Sequence, residues 1–198
     1  MTPIQQLERE IADKIAALNE LRKAAPPIPV PEYIFETDSG PATLRSLFGD
    51  KTTLFAIHNM GQGCRYCTLW ADGFTGLVPH LESQYAFVLL SKDPPLTQRA
   101  FALSRGWNFR MASHRGGPYI REQTVMPGKD NAPGMVCYER RGDAIFRKNA
   151  VPFGPGDLYS PLWHMLSLAG HGTSDFVPQF AYWQRPQQLD DGGKGVRG

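Results

Sequence analysis

The sequence predicts an α/β sandwich with a mixed central sheet, and three observations carry the prediction. Strand and helix signals alternate from about residue 33 to residue 111, a two-stranded hairpin follows at 135–148, and a helix closes the chain near 161–169. The chain has 198 residues, enough for one well-buried core and too few for two comfortable domains. At 41% hydrophobic and 20% charged it has an ordinary globular composition.

The first element is a helix over 1–24. Thr2 suits the N-cap, Pro3 the first helical position, and Gln5 the reciprocal capping position. Ile4, Leu7, Ile11, Ile15, Leu18 and Leu21 recur at three- and four-residue steps, so one apolar stripe must pack on the domain or on a second copy, giving a homodimer. Prolines at 26, 27, 29 and 31 then mark 25–31 as an extended linker. The globular domain is expected over 32–183 and a disordered tail over 184–198, where apolar periodicity stops.

Within the domain, 33–36 reads as a short strand and 43–48 as a helical turn. Residues 52–58 form an apolar run of buried-strand length, followed by Gly61-Gln62-Gly63 and a helix from about 64 to 81. Residues 85–90 give a second buried strand, 95–104 a helix and 107–111 a further strand, with an irregular polar stretch from 114 to 131. Arg141-Gly142-Asp143 supplies the tight turn of the late hairpin, and Ser160 with Pro161 opens the last helix before Gly170.

Several function classes are set aside at this level. A net charge of +2 with scattered Lys and Arg gives no nucleic-acid footprint, and Arg140-Arg141 with Arg147-Lys148 reads as solvated hairpin charge. No run approaches the ~20 apolar residues of a membrane helix. Glu8, Arg9, Glu10, Asp13 and Lys14 interrupt any apolar signal core, so a cytoplasmic protein is expected. Three cysteines are too few and too unevenly spaced for a secreted disulfide framework.

Two of those cysteines carry the chemistry. Cys64-Arg65-Tyr66-Cys67 follows a buried strand and opens a helix. One helical turn holds the two Cα atoms about 5 Å apart, within reach of a disulfide. The free amides and positive end of the helix favour a thiolate at Cys64, and Arg65 adds a cation beside it. Cys67, one turn deeper, is the resolving thiol. A better-stabilised thiolate makes a stronger oxidant, which predicts a potential on the oxidising side of ~−270 mV.

The strand, glycine-rich turn, Cys-x-x-Cys and helix resemble the active-site segment of the thioredoxin superfamily. Asn131-Ala132-Pro133-Gly134 before a strand resembles the superfamily's cis-proline segment, which implies that Pro133 lines the substrate groove beside Arg65 and Tyr66. The N-terminal helix, Leu44-Arg45-Ser46-Leu47-Phe48-Gly49, the dithiol, and residues 138–143 before the closing helix are together most similar to a bacterial thioredoxin-like family known as a domain of unknown function. The resemblance, over roughly 30–183, implies a thioredoxin-like three-layer sandwich with an extra N-terminal helix. It also implies a disulfide oxidoreductase whose partners are a protein or small-molecule disulfide and an electron donor, with no organic cofactor. Departures are Gly63 and Tyr66 in place of the usual Trp and Pro, and His58 six residues before Cys64 where thioredoxins carry a buried acid. His58 is either a proton-transfer base, with an unperturbed pKa of ~6.5, or a hydrogen-bonded strand-end histidine.

Rival readings use the same residues. A zinc site would need two further ligands from Cys137, His58, His80, His164 or His171. A thiol peroxidase of the peroxiredoxin type calls for a hydroxyl three residues before the reactive cysteine and a proline seven before it. Gly61 and Ile57 stand there, and Arg110 or Arg121 is the candidate cation. A non-catalytic binding module would use the loop from His114 to Gln123. His80 and His114 read as surface or loop histidines, Cys137 as a buried spectator, and Trp163, Phe176, Phe180 and Trp183 as packing aromatics.

Overall fold

The computed structural model describes residues 1–180, so the predicted tail and Trp183 lie outside the described residues. Eight strands form one mixed sheet in the order β1-β8-β7-β4-β5-β6-β2-β3. They are β1 (Ile28–Val30), β2 (Ile34–Thr37), β3 (Gly40–Thr43), β4 (Thr53–Asn59), β5 (Ala86–Ser91), β6 (Met111–Ser113), β7 (Gly134–Arg141) and β8 (Ala144–Pro152). The helices are α1 (Pro3–Ala24), α2 (Arg65–Phe74), α3 (Val78–Glu82), α4 (Pro95–Arg105), α5 (Pro118–Glu122) and α6 (Pro161–Leu168), with a 3-10 turn at Ser46–Phe48.

The centre of the sheet is β4, parallel to β5 on one side and antiparallel to β7 on the other. Both central strands are buried on two faces, which is why 53–59 and 86–91 read as continuous apolar runs rather than alternating ones. Side-chain alternation splits the core in two. Ile57, Phe87 and Leu89 pack with Trp70, Phe74 and Trp163 from α2 and α6. Leu54, Ala56, Val88 and Leu90 pack on the other face with Phe35, Phe48, Tyr119 and Tyr138. Helical layers on both faces make a three-layer sandwich.

Differences from the sequence reading have local causes. The helix expected from 64 to 81 is two helices, with Gly73 in the last turn of α2 and Gly76 within the break before α3 weakening its continuation. The strand expected at 107–111 is shifted to β6, since Trp107 and Phe109 turn into the α2 side of the core before pairing begins. The irregular stretch contains α5, and Asp38-Ser39 turn the chain into the β2–β3 hairpin. The proline-rich linker includes an edge strand: Pro29 lies opposite Phe146 in the β1–β8 pair, the position in a sheet where a missing N–H is tolerated. Ser160 holds the N-cap position of α6 without a side-chain bond; Asp157 Oδ1 accepts from the Tyr159 and Ser160 amides instead.

The capping box of α1 forms as read, with Thr2 and Gln5 exchanging bonds. Its stripe is not buried against the domain: none of its residues is buried, and Ile4, Leu7 and Leu21 are among the exposed apolar side chains. The domain holds the helix by its C-terminal end, where Lys148 donates to the Lys23 and Ala25 carbonyls and Asn149 to that of Arg22.

Two glycines give opposite expectations for stability. A Cβ on Gly134 would fall 2.3 Å from the Val151 carbonyl and 2.7 Å from Val125 Cγ2, so Gly134→Ala should destabilise by about 2–3 kcal/mol in urea unfolding. Gly73 lies exposed near the end of α2 with no heavy atom within 4 Å, so Gly73→Ala should stabilise by about 0.5–1 kcal/mol in the same assay.

Candidate functional site: a dithiol at the start of a buried helix

Because β4 and β5 are parallel and in register from Leu54–Ala86 to Asn59–Ser91, the chain leaves both strands at one edge, side by side. In open α/β sheets the crevice outside the carboxyl ends of parallel strands is where ligands bind. Here the crevice holds the loop 60–63 from β4 and Lys92-Asp93 from β5. The amide of Gly61 donates to Asn59 Oδ1 at 2.8 Å, and that of Gln62 to Asp93 Oδ2 at 2.7 Å. Gly61 has φ +106°, and a Cβ there would lie 2.6 Å from the Asp93 carboxylate. Glycine is therefore required both by the backbone turn and by the space.

The loop delivers Cys64 to the N-cap of α2. With φ −103° and ψ 102° it stands just outside the helix, and its sulfur accepts the amide of Cys67 at 3.1 Å. Sulfur thus takes the role that a Ser or Asp oxygen usually has at this position. Thr68 Oγ1 donates to the Cys64 carbonyl at 3.1 Å, and Asn59 Nδ2 donates to that of Cys67 at 3.4 Å. Cys64 is half-buried and Cys67 buried, and both are free thiols, as is Cys137.

The two sulfurs are electrostatically unequal. Cys64 is lowered from 9.0 to about 7 by the Cys67 thiol, against an opposing burial effect, with further lowering from the Cys67 and Tyr66 amides. The same contact with Cys64 raises Cys67, and burial raises it further. The pair therefore shares one proton, held by Cys67 and directed at the Cys64 thiolate. Hydrogen bonds produce this lowering. Tyr66 lies among aromatics, its ring centroid 6.4 Å from that of Trp163 and 6.3 Å from that of Trp70.

Pro133 stands at the same edge of the sheet, since the next residue, Gly134, is opposite His58. Its peptide is trans, not cis: the described residues have no cis peptide, and the turn into β7 is made by Asn131 in the left-handed region at φ +56°. The Pro133 carbonyl accepts from the Phe153 amide at 2.9 Å.

His58 belongs to a different cluster. On the sheet face away from α2, its Nε2 lies 2.9 Å from the Tyr119 hydroxyl. Tyr138 bridges Tyr119 at 3.1 Å and Gln123 Oε1 at 3.3 Å, Gln123 Nε2 donates to Tyr33 at 3.1 Å, and Tyr33 donates to Glu122 at 2.7 Å. A hydrogen-bonded chain thus runs from the core to the surface. Burial, with the His114 and Arg147 charges, lowers His58 to about 3, so its ring is neutral at physiological pH. His114, read from the sequence as a loop histidine, is buried beside the same tyrosine and lowered to about 4 by burial.

Other candidates stand apart from the dithiol. Arg121 donates to the Gly116 carbonyl and Arg110 to that of Leu47. Among the described residues no three His, Cys, Asp or Glu side chains come together as a metal-binding group. No helix among them is long and apolar enough to cross a membrane. Cys137, expected to be buried, is half-buried opposite Phe55 in the middle of β7 and is raised to about 11, chiefly by burial. Sequence reasoning missed Asn59 and Asp93. The signal was available, because each sits at the carboxyl end of a buried parallel strand.

Residues 4–188 match the bacterial family described as proteins of unknown function, DUF899. The chain belongs to that family. No curated protein matches its sequence. Among solved structures, this chain is similar in fold to peroxiredoxin Q from Xanthomonas campestris, at 16% identity and a TM-score of 0.52 over 70% of this chain and 92% of that one. A peroxidoxin, BcpB, from Mycobacterium tuberculosis is similar at 17% identity and a TM-score of 0.50, over 65% of this chain and 85% of that one. The fold is thus thioredoxin-like, as the sequence resemblance implied.

Three pH responses follow. In the reduced protein, alkylation of Cys64 by iodoacetamide should rise about tenfold per pH unit up to a midpoint near 7 and then level off. Cys64 is depressed on folding, so the reduced protein should also gain stability as pH rises from about 7 to 9. A midpoint near 9, read by mass spectrometry, would contradict this. His58 and His114 are likewise depressed, so stability should fall as pH drops below 6.5 toward about 4. Urea midpoints of a His58→Gln, His114→Gln protein should vary less over that range than those of the parent.

Proposed function

We propose that the protein is a thiol–disulfide oxidoreductase in which Cys64 is the nucleophile and Cys67 the resolving thiol. The observation that supports this most is the Cys64 sulfur at the N-cap of α2, 3.1 Å from the Cys67 amide and lowered to about 7, with the Cys67 thiol as its proton-holding neighbour. A thiolate with a pKa near ambient pH combines a large ionised fraction with retained nucleophilicity.

The Cys64 thiolate attacks one sulfur of a substrate disulfide, forming a mixed disulfide and releasing the other sulfur as a thiolate. Cys67 then loses its proton and attacks the Cys64 sulfur. The Cys64–substrate bond breaks, the substrate leaves as a second thiolate, and an intramolecular disulfide remains. Two electrons pass from the dithiol to the substrate, and the reverse sequence oxidises a dithiol substrate. Reduction of the new disulfide requires an external dithiol donor. In this reading Pro133, Arg65 and Tyr66 border the groove that receives the substrate, while His58, neutral and bonded to Tyr119, has a supporting role in the sheet. Cytoplasmic residence suits such a dithiol.

A second reading, a thiol peroxidase, is favoured by the fold shared with peroxiredoxin Q. It lacks a hydroxyl three residues before Cys64, where Gly61 stands and its amide is bonded to Asn59.

A glutathione redox titration with maleimide trapping and intact-mass readout tests the proposal. A reversible two-electron transition confined to Cys64 and Cys67 is expected, with Cys137 labelled throughout. A Cys64 value of about 7 matches the ~7 of thioredoxin's reactive cysteine, so the potential should fall near ~−270 mV rather than well above it. Cys64→Ser should abolish reduction of an insulin disulfide, and Cys67→Ser should trap the mixed disulfide. A dithiol that stays reduced at every ratio would sink the proposal; rapid hydrogen peroxide turnover retained in Cys67→Ser would favour the peroxidase.

A further inference from the structure

A cavity of about 440 Å³ opens between α4, the β2–β3 hairpin and β6, within the size range of small-molecule sites. Its lining joins apolar groups, including Leu47, Ala102 and Met111, to a polar rim that holds two guanidinium groups. The rim charges do not cancel. Arg99 is paired with Asp38 at 3.2 Å, whereas Arg110 forms no ion pair with a carboxylate among the described residues. Arg110 is exposed at the cavity, and its Nη1 donates to the Leu47 carbonyl at 2.8 Å. That bond fixes the plane of the guanidinium and leaves further N–H groups for an acceptor.

We propose that this cavity binds a small monocarboxylate with an apolar body, its carboxylate on Arg110 and its chain or ring against the α4 wall. An oriented, uncompensated guanidinium beside apolar surface matches a carboxylate better than a neutral or cationic group, because Arg presents parallel N–H donors to two oxygens. A single free positive charge also suits one carboxylate better than a dianion. The α4 wall adjoins the dithiol loop: Gln98, with Trp107 and Met111, also lines a small void reached by Asn59, Gly61, Gln62 and Asp93. Gln98 is buried and donates to the Ser91 hydroxyl at 2.9 Å and the Asp93 carbonyl at 3.0 Å, so this wall is rigid. The inference does not depend on the redox reading, since neither cysteine lines the cavity.

The test is calorimetric titration of the full chain with octanoate and 3-phenylpropionate, with octylammonium and inorganic phosphate as charge controls. Saturable one-to-one binding of a carboxylate is expected, with no binding of octylammonium and at least tenfold weaker binding of phosphate. Arg110→Gln should weaken carboxylate binding by about tenfold or more, the size expected for losing charge-assisted hydrogen bonds. Arg121→Gln, a change on α5, should leave it unaltered. Ala42→Phe, which fills the cavity from the β3 side, should abolish it, and its unfolding midpoint checks that the variant folds. No saturable carboxylate binding, equal binding by octylammonium, or unchanged affinity in Arg110→Gln would each overturn the proposal.

Discussion

The site depends on one short-range contact, the Cys67 amide directed at the Cys64 sulfur at 3.1 Å. A helix leaves its first amides without internal partners, and here a sulfur takes one of them. That contact fixes where α2 starts and adds to the lowering of Cys64 that the Cys67 thiol chiefly produces, so Cys64 is the more acidic of the two thiols. The neighbouring Cys67 is driven the other way by the same proximity and by burial. A pair of identical side chains is thus made chemically unequal by one turn of helix.

The contact persists because the sheet supports it. The parallel β4–β5 pair delivers two loop origins to the same edge, and Asn59 and Asp93 tie the connecting loop through its own amides. On the far side, Asp72 accepts from Trp107 at 2.8 Å and pairs with Arg105, whose guanidinium also donates to the Phe180 carbonyl at 2.7 Å. The C-terminal segment is thereby fastened to the helical layer that contains α2.

The opposite layer follows a different principle. His58, Tyr119, Tyr138, Gln123 and Tyr33 bury several polar groups in a core, where they hydrogen-bond one another except at His58 Nδ1, which has no partner among the described residues. Burial keeps His58 neutral, and the Tyr119 hydroxyl orients its ring. A charged acid in that place would need a cation to survive there, whereas a neutral imidazole carries no charge to desolvate. His58 is thus a buried group that stays uncharged at physiological pH.

The sequence by itself determined the fold class, the position of α1, the two buried central strands, the late hairpin and the dithiol at a helix start. Each of these is written in local signals: capping residues, apolar periodicity, a glycine turn, and four-residue cysteine spacing. Tertiary structure decided which edge each strand takes, that Pro29 closes the sheet, that His114 is buried, and that the Pro133 peptide is trans. It also decided the parts played by Asn59 and Asp93, and it left the apolar stripe of α1 unburied by its own domain. Asp93 lies 29 residues beyond Cys64 and meets its loop only because β4 and β5 are parallel and in register. Contacts between segments far apart in the chain depend on register and packing of the whole, which no local window of residues encodes.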